Sequence, residues 1–246
     1  MGRWPKVELK EEGMREGMQI EDTNIPVEDK VRLIEALSET GLRTIVVGSF
    51  VSPRYTPQMA RIEEVVSRLR PKPGVRFTAL VAPTPTYQEM AKKYSPPLTL
   101  EREAPVLACH LCDIFVRRNW NRSQEEEIAA WPQIVAQAQE QGAKEGGIGV
   151  HAAWGSNFVG EFTLEQRMGM LERQHRLWDE AGIPVTRAYL GDPMSWCHPA
   201  VVEETLGVIK ERWPEIRFFH LHLHNGRGMA LPAAYAALRA LGPEDT

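Results

Sequence analysis

The sequence has few cysteines, no excess of positive charge and no apolar run of membrane-spanning length. A spanning helix needs about 20 apolar residues, so we expect no membrane partner. The net charge of -4 provides no basic field for phosphates, so nucleic acid is not an expected partner. The first residues lack the apolar core of a secretion signal, and we therefore expect a cytoplasmic protein.

The three cysteines, Cys109, Cys112 and Cys197, are too few and too scattered for a disulfide framework. Cys109 and Cys112 form a C-x-x-C pair, but the chain has no second pair to complete a zinc site. Because both lie in a strand-like stretch, we interpret them as buried thiols. The 246 residues are 43% hydrophobic, which is enough for the core of one large domain.

Short apolar or β-branched runs alternate with segments of helical periodicity. The predicted strands are Lys6–Leu9, Thr44–Phe50, Arg76–Ala82, Val106–Cys112, Gly147–Ala153, Val185–Leu190 and Arg217–His224. The predicted helices are Val27–Thr40, Met59–Arg70, Ser123–Gln141, Thr163–Ala181, Pro199–Arg212 and roughly Met229–Leu241. Ser123 with Glu126, and Thr163 with Gln166, are typical capping boxes. Such alternation predicts an α/β fold with parallel strands, either a barrel or a doubly wound sheet.

Polar residues follow many of these strands, which favours a barrel, where catalytic groups collect at the carboxyl ends of the strands. No glycine-rich phosphate fingerprint follows the first strand, which weakens the doubly wound alternative. We therefore expect a (β/α)8 TIM barrel in a single catalytic domain over residues 1–246. The sequence supplies only seven strand–helix units, so we expect the eighth strand and the C-terminal segment to be missing from it.

The most informative run is His220-Leu221-His222-Leu223-His224-Asn225-Gly226. Alternate residues of a strand share a face, so the three imidazoles lie on one face of the predicted last strand. Two imidazoles at the end of a strand supply half of a metal site. His220 lies deeper than the others, and we interpret it as a supporting residue that does not bind metal. The competing interpretation is a hydrogen-bonded core layer of histidines.

Several motifs resemble one known family. Gly13–Gln19 resembles the R-[DE]-G-x-Q signature of the DRE-TIM metallolyases, and Gly48–Met59 is similar to the second-strand loop of hydroxymethylglutaryl-CoA lyases. His222-Leu223-His224-Asn225 resembles the metal motif H-x-H-[DN] of that family, and Leu190-Gly191-Asp192 resembles its sixth-strand L-G-D. The similarity runs in order along essentially the whole chain.

The resemblance implies a divalent metal, Mg or Mn, held by Glu16, His222 and His224. It implies that Arg15 stabilises an enolate and that Asp192 acts as an acid/base or contacts a substrate hydroxyl. The family usually has Asp where this chain has Glu16. We further expect Gln19, Ser49 and His151 to contact substrate, and we expect a homodimer.

Some of these residues have structural interpretations as well. Arg15 and Glu16 form a plausible salt bridge at a strand end, and Asp192 before Pro193 fits a helix cap. His151 fits a satisfied polar residue at the mouth of the barrel. His110 stands in the same relation to the fourth strand as His151 to the fifth.

Three functions compete. The leading hypothesis is a metal-dependent carbon–carbon lyase that cleaves a 3-hydroxy-3-methylglutaryl-CoA-like thioester by retro-Claisen or retro-aldol chemistry. The second is a Claisen-condensing synthase that uses the same metal and Arg15. The third is a catalytically silent barrel, motivated by Glu16 in place of Asp.

Overall fold

The computed structural model describes residues 3–82, 84–100 and 104–246. Its contacts divide the chain into two compact units. The smaller unit covers Glu8–Arg102, and the larger one covers Met1–Val7 together with Glu103–Thr246. Strands within each main sheet are parallel, so the predicted α/β fold is confirmed. The single catalytic domain over residues 1–246 stays a prediction.

The smaller unit is a three-stranded parallel sheet with helices. The strands pair in the order β1 (Lys10–Glu11), β2 (Thr44–Phe50), β3 (Arg76–Val81). The α-helices are α1 (Val27–Ser38), α2 (Ile62–Arg68) and α3 (Pro85–Lys92), and Gly17–Ile20 and Pro57–Met59 form 3-10 turns. β2 is buried on both faces from Ile45 to Phe50, as its nearly continuous apolar sequence requires between covering layers.

The larger unit contains a four-stranded parallel sheet in the order β4 (Val106–His110), β5 (Gly146–His151), β8 (Val185–Asp192), β9 (Phe218–Leu223). A short antiparallel pair, β6 (Gly155–Ser156) with β7 (Gly160–Glu161), follows β5. The helices are α4 (Asp113–Trp120), α5 (Gln124–Ala129), α6 (Trp131–Glu140), α7 (Leu164–Glu180), α8 (Pro199–Arg212) and α9 (Ala230–Ala240).

Helix α7 fixes the position of β5. The side chain of Gln174 accepts a hydrogen bond from the Gly149 amide at 2.8 Å and donates to the Gly149 carbonyl at 2.9 Å. The indole of Trp178 packs so closely on the strand that a Cβ at Gly146 would lie 2.8 Å from the ring. A side chain at position 146 would therefore push α7 away from the strand that ends in His151.

The helix boundaries follow from local chemistry. Ser123 and Thr163 each form the predicted capping box at the start of α5 and α7. Gly41, Gly142 and Gly182, which follow α1, α6 and α7, have positive φ angles that close these helices.

Some predicted elements were wrong in extent. The first strand is Lys10–Glu11 instead of Lys6–Leu9, because Val7 and Leu9 are exposed and pairing with β2 begins at Lys10. The long helix predicted at 123–141 is two helices, and Pro132 lies in the first turn of the second, which begins at Trp131. The sequence pattern did not indicate α3, α4 or the short pair of β6 and β7.

Candidate functional site

The carboxyl ends of the strands in the larger unit carry a row of residues in register. His110 on β4 pairs with His151 on β5, His151 pairs with Gly191 on β8, and Gly191 pairs with His222 on β9. Register partners in parallel strands present their side chains on the same face of the sheet. Three imidazoles and one glycine therefore form a single polar row across four strands.

His222 and His224 form a pair at the end of β9. Their rings stack with centroids 5.0 Å apart. The Nδ1 atom of His224 lies 2.9 Å from the carbonyl oxygen of Asp192, to which it donates a hydrogen bond. This contact fixes the tautomer of His224 and leaves the lone pair of the ring on Nε2, as a metal-binding histidine requires.

Asp192 is fully buried and organises the loop after β8. Its Oδ1 and Oδ2 atoms accept hydrogen bonds from the backbone amides of Trp196 and Cys197, each at 2.8 Å. The alternation of β8 places Asp192 on the same face as Ala188 and Leu190, which pack in the apolar core. These contacts support a capping role, and the acid/base role of Asp192 stays a prediction.

A second contact ties the same loop to the segment after β9. The hydroxyl of Ser195 accepts a hydrogen bond from the Gly226 amide at 2.9 Å. Ser195 has a left-handed backbone with φ of 59°, which a short polar side chain tolerates better than a branched one. The loop after β8 therefore positions the histidine segment through both Asp192 and Ser195.

His151 occupies space that Gly191 leaves open. A Cβ at Gly191 would lie only 2.4 Å from the Nδ1 atom of His151. The ring of His151 packs against that of His110, with centroids 4.8 Å apart. Burial of the ring and the neighbouring His110 lower the pKa of His151 to about 3. His151 is therefore neutral near pH 7, and its contact with substrate stays a prediction.

His110 is held by the buried carboxylate of Glu127, which no sequence motif indicates. The Nδ1 atom of His110 lies 3.0 Å from Oε1 of Glu127, whose Oε2 also accepts the His110 backbone amide at 3.0 Å. Arg122 donates to the same Glu127 at 3.0 Å. Burial alone would raise the pKa of Glu127, but the hydrogen bonds and charges of His110 and Arg122 hold it below its usual value. No short-range pattern links His110 to Glu127, because α4 and a loop separate them in sequence.

His220 lies two residues deeper in β9 than His222. Its ring stacks on Tyr189 at 5.2 Å between centroids, and Tyr189 is its register partner on β8. Gly149, in register with Tyr189, leaves room for that residue, since a Cβ there would lie 2.9 Å from the Tyr189 Cβ. The ring of His220 therefore packs against β8, and its supporting role stays a prediction.

In the smaller unit, Arg15 and Glu16 follow β1. The Nη2 atom of Arg15 lies 3.0 Å from Glu12 Oε2, and its Nη1 atom lies 3.7 Å from Glu16 Oε2. The Nε atom of Arg15 is buried and has no hydrogen-bond partner among the described residues. A buried guanidinium donor without a partner is unusual, and it indicates a position for an anionic oxygen.

The segment that carries Gln19 is held by Gln58. The Nε2 atom of Gln58 donates to the carbonyls of Gln19 at 2.9 Å and Glu21 at 3.1 Å. The side chain of Gln19 is exposed, whereas Ser49 is buried near the end of β2. The substrate contacts of Gln19 and Ser49 stay predictions.

All three cysteines are buried and free, which confirms the buried thiols predicted for Cys109 and Cys112. Burial raises the pKa of Cys109 to about 12, and burial together with the Asp192 carboxylate does the same for Cys197. Thiols with such pKa values are poor nucleophiles near neutral pH. The Sγ atom of Cys112 lies 3.0 Å from the Ser156 hydroxyl and links the end of β4 to β6.

Known proteins with similar sequences include two hydroxymethylglutaryl-CoA lyases of Mus musculus. The chain is 32% identical over 234 residues to the cytoplasmic 3-hydroxy-3-methylglutaryl-CoA lyase of Mus musculus, covering 95% of this chain and 64% of the relative. It is 28% identical over 240 residues to the mitochondrial hydroxymethylglutaryl-CoA lyase of the same organism, covering 97% of this chain and 69% of the relative. The chain therefore spans about two thirds of the length of these relatives.

Solved structures of hydroxymethylglutaryl-CoA lyases also resemble this chain. The crystal structure of a hydroxymethylglutaryl-CoA lyase from Pseudomonas aeruginosa matches with a TM-score of 0.72 and 28% identity, over 97% of this chain and 74% of that one. The Bacillus subtilis enzyme matches with a TM-score of 0.73 and 29% identity, over 98% and 76% of this chain and that one, respectively.

Among the described residues, none of the helices combines the length and the apolar character that a membrane crossing needs.

A family model described as HMGL-like matches residues 6–241, nearly the whole chain. The resemblance seen in the sequence motifs is thus confirmed by comparisons that cover the same residues. The chain belongs to the HMGL-like family.

Proposed function

We propose that this protein is a metal-dependent carbon–carbon lyase that cleaves a 3-hydroxy-3-methylglutaryl-CoA-like thioester. The observation that carries the proposal is the pair His222 and His224, with the tautomer of His224 fixed by the Asp192 carbonyl at 2.9 Å. Relatives with 28% and 32% identity bear the names of hydroxymethylglutaryl-CoA lyases. An acyl-CoA is accordingly the proposed substrate, and a homodimer in the cytoplasm the proposed state.

The donor set suits a divalent cation. We propose that the imidazoles of His222 and His224 and the carboxylate of Glu16 hold Mg²⁺ or Mn²⁺, which accept mixed oxygen and imidazole ligands. When bound, the cation lowers the pKa of the substrate hydroxyl and orients the substrate. The extra methylene of Glu16 relative to Asp changes the reach of this ligand without changing its chemistry.

Arg15 and Asp192 have proposed roles in cleaving the carbon–carbon bond. The hydroxyl on C3 gives its proton to a base, and breaking the C2–C3 bond leaves the electron pair on the thioester arm as an enolate while C3 becomes a ketone. The enolate then takes up a proton at C2 to give acetyl-CoA, so no net proton is gained or lost. We propose that Arg15 stabilises the enolate oxygen, since its buried Nε atom has no hydrogen-bond partner among the described residues. Asp192 remains the predicted acid/base, and its contacts support a second role in which it positions His224.

Purified protein with Mg²⁺ or Mn²⁺ and 3-hydroxy-3-methylglutaryl-CoA tests the proposal. We expect metal-dependent release of acetyl-CoA and an oxo acid. Arg15→Ala should lower kcat about a hundredfold, as the loss of a transition-state donor does. Arg32→Ala is the matched control, because Arg32 is exposed on α1 of the same unit and pairs with Asp29.

Three outcomes separate the competing functions. Cleavage that needs metal and Arg15 supports the lyase. Acyl transfer only from acetyl-CoA to an oxo acid would establish the synthase instead. Absence of both reactions, with no metal binding, would overturn the proposal and leave the silent barrel.

A further inference from the structure

The segment that carries Arg15 and Glu16 is anchored in the core of the smaller unit by two methionines. Met14 and Met18, on either side of this pair, are both buried in that core. A methionine side chain has three rotatable bonds and adapts its packing to its neighbours. The two anchors therefore keep the segment on the core without fixing its exact position, and directed hydrogen bonds have to supply the rest.

Gln58 supplies two of these hydrogen bonds. Its Nε2 atom donates to the main-chain carbonyls of Gln19 at 2.9 Å and Glu21 at 3.1 Å. Gln19 lies in the 3-10 turn Gly17–Ile20, and Glu21 directly follows that turn. Carbonyls at the end of a helical turn have no acceptor role within the turn itself. The side chain of Gln58 therefore closes the end of the segment.

Main-chain hydrogen bonds connect this closed end to Arg15 and Glu16. The amide of Gln19 donates to the carbonyl of Glu16 at 3.2 Å. The amides of Glu16 and Arg15 both donate to the carbonyl of Glu12, at 2.7 Å and 3.0 Å. A continuous series of hydrogen bonds thus runs from Gln58 to the backbones of Glu16 and Arg15.

Gln58 is itself held by a buried lysine. Lys30 on α1 is buried, and its Nζ atom donates to the main-chain carbonyl of Gln58 at 2.7 Å. A buried ammonium group needs an acceptor, so the burial of Lys30 keeps this bond in place. Met59, the next residue after Gln58, packs in the same core as Met14 and Met18. The side chain of Gln58 is therefore presented from a fixed main chain.

We propose that Gln58 is a positioning residue that sets the place of Arg15 and Glu16 by binding the carbonyls of Gln19 and Glu21. Its part in catalysis rests on the lyase proposed above, because it acts through the enolate-stabilising Arg15 and the metal ligand Glu16. Gln58 is partly exposed, so water competes for both carbonyls and the two bonds add little to global stability. Their effect is on local geometry.

Metal affinity tests the role of Gln58 without turnover. Gln58→Met removes both donors and should weaken Mn²⁺ binding to chelator-treated protein about tenfold, as the loss of a residue that orients a ligand does. In a Glu16→Ala background the same substitution should change the affinity less than about twofold, since its effect passes through Glu16. Gln139→Met is the matched control and should bind Mn²⁺ as the wild type does. Gln139 likewise donates to a main-chain carbonyl, that of Ala181 at 3.0 Å, but in the larger unit.

Kinetics with 3-hydroxy-3-methylglutaryl-CoA provide the readout for Arg15. Gln58→Met should lower kcat about tenfold and leave KM within about twofold, because the enolate charge develops only in the transition state. In an Arg15→Ala background the same substitution should lower kcat less than about twofold. A merely structural role of Gln58 would lower kcat equally in both backgrounds.

Hydrogen exchange shows which part of the chain the substitution releases. Gln58→Met should speed amide exchange in residues 13–21 and leave the amides of β2 unchanged. Thermal unfolding verifies that the variant folds. Gln58→Glu, which keeps the shape of the side chain and loses both donors, replaces Gln58→Met where it does not.

The outcomes for Gln58 and for the lyase are distinguishable. Wild-type Mn²⁺ affinity and kcat in Gln58→Met, or additive losses in the double variants, would overturn the positioning role and leave the lyase standing. A protein that cleaves no thioester, but in which Gln58→Met weakens Mn²⁺ binding only when Glu16 is present, would refute the lyase. Gln58 would then remain a positioning residue of the metal site.

Discussion

His224 donates a hydrogen bond from Nδ1 to the backbone carbonyl of Asp192 at 2.9 Å. The same Asp192 uses both carboxylate oxygens to hold the turn at Trp196 and Cys197. One residue thus fixes a loop through its side chain and a proposed metal ligand through its main chain. The ends of β8 and β9 are coupled by this arrangement, and several consequences can be measured.

Removal of either imidazole should weaken metal binding. We expect His222→Ala and His224→Ala each to reduce Mn²⁺ affinity at least tenfold, because each removes a proposed ligand from a set of three. Isothermal titration of Mn²⁺ into chelator-treated protein measures the effect. His175→Ala, on α7, should bind Mn²⁺ as the wild type does. Unchanged affinity in both site variants would contradict the assignment of these ligands.

Gly191 should be intolerant of any side chain. An alanine Cβ would lie 2.4 Å from His151 Nδ1, so the ring must move. We expect Gly191→Ala to cost about 1–3 kcal/mol of unfolding free energy, the usual range for overpacking. Urea denaturation should also show that the cost shrinks in the double variant Gly191→Ala/His151→Ala, since the clash is then absent.

Gly207→Ala is the control for that experiment. Gly207 is exposed within α8, and a Cβ there would meet nothing within 4 Å. The substitution should raise stability by about 0.5–1 kcal/mol, because glycine is unfavourable inside a helix. Equal destabilisation at positions 191 and 207 would show that the close approach to His151 is not the cause.

The sequence predicted the elements whose signals are local. The capping boxes at Ser123 and Thr163 were found in place because each depends on residues only three apart. The β2 strand, Thr44–Phe50, was predicted to the residue since its apolar run is bounded by turn signals. The first strand was misplaced because only two of its residues pair, which is too few for a periodic pattern.

The candidate site also combines features that local sequence signals predict with features that depend on contacts between distant segments. The alternation of His220, His222 and His224 in the sequence is enough to predict that they share one face of a strand. The pairing of His110 with Glu127, and the space that Gly191 provides for His151, depend on strand register and on packing across the sheet. Such contacts join residues from different elements, and no spacing along the chain encodes them. The capping geometry of Asp192 was one of two interpretations that the sequence left open.

The capping box of α7 should contribute measurably to stability. Thr163 Oγ1 accepts the Gln166 amide at 3.2 Å, and Gln166 Oε1 accepts the Thr163 amide at 2.8 Å. Thr163→Ala removes one of these bonds and should cost about 1 kcal/mol in urea denaturation. Thr163→Ser keeps the hydroxyl and should stay within about 0.5 kcal/mol of wild type. A serine variant as unstable as the alanine variant would refute the hydrogen-bond explanation.

The depressed pKa of His151 predicts how stability depends on pH. Folding lowers the pKa of His151 from 6.5 to about 3, mainly by burial of the ring. Between these values the unfolded chain binds a proton that the folded protein does not, so stability falls as the pH falls from 6.5 towards 3. The contribution is at most about 1.4 kcal/mol per pH unit. Urea denaturation of chelator-treated protein at pH 7 and pH 5.5 should therefore show a smaller loss for His151→Asn than for wild type. Equal losses would mean that His151 is not kept neutral by the fold, and the row from His110 to His222 would then have to tolerate a charged imidazole at its centre.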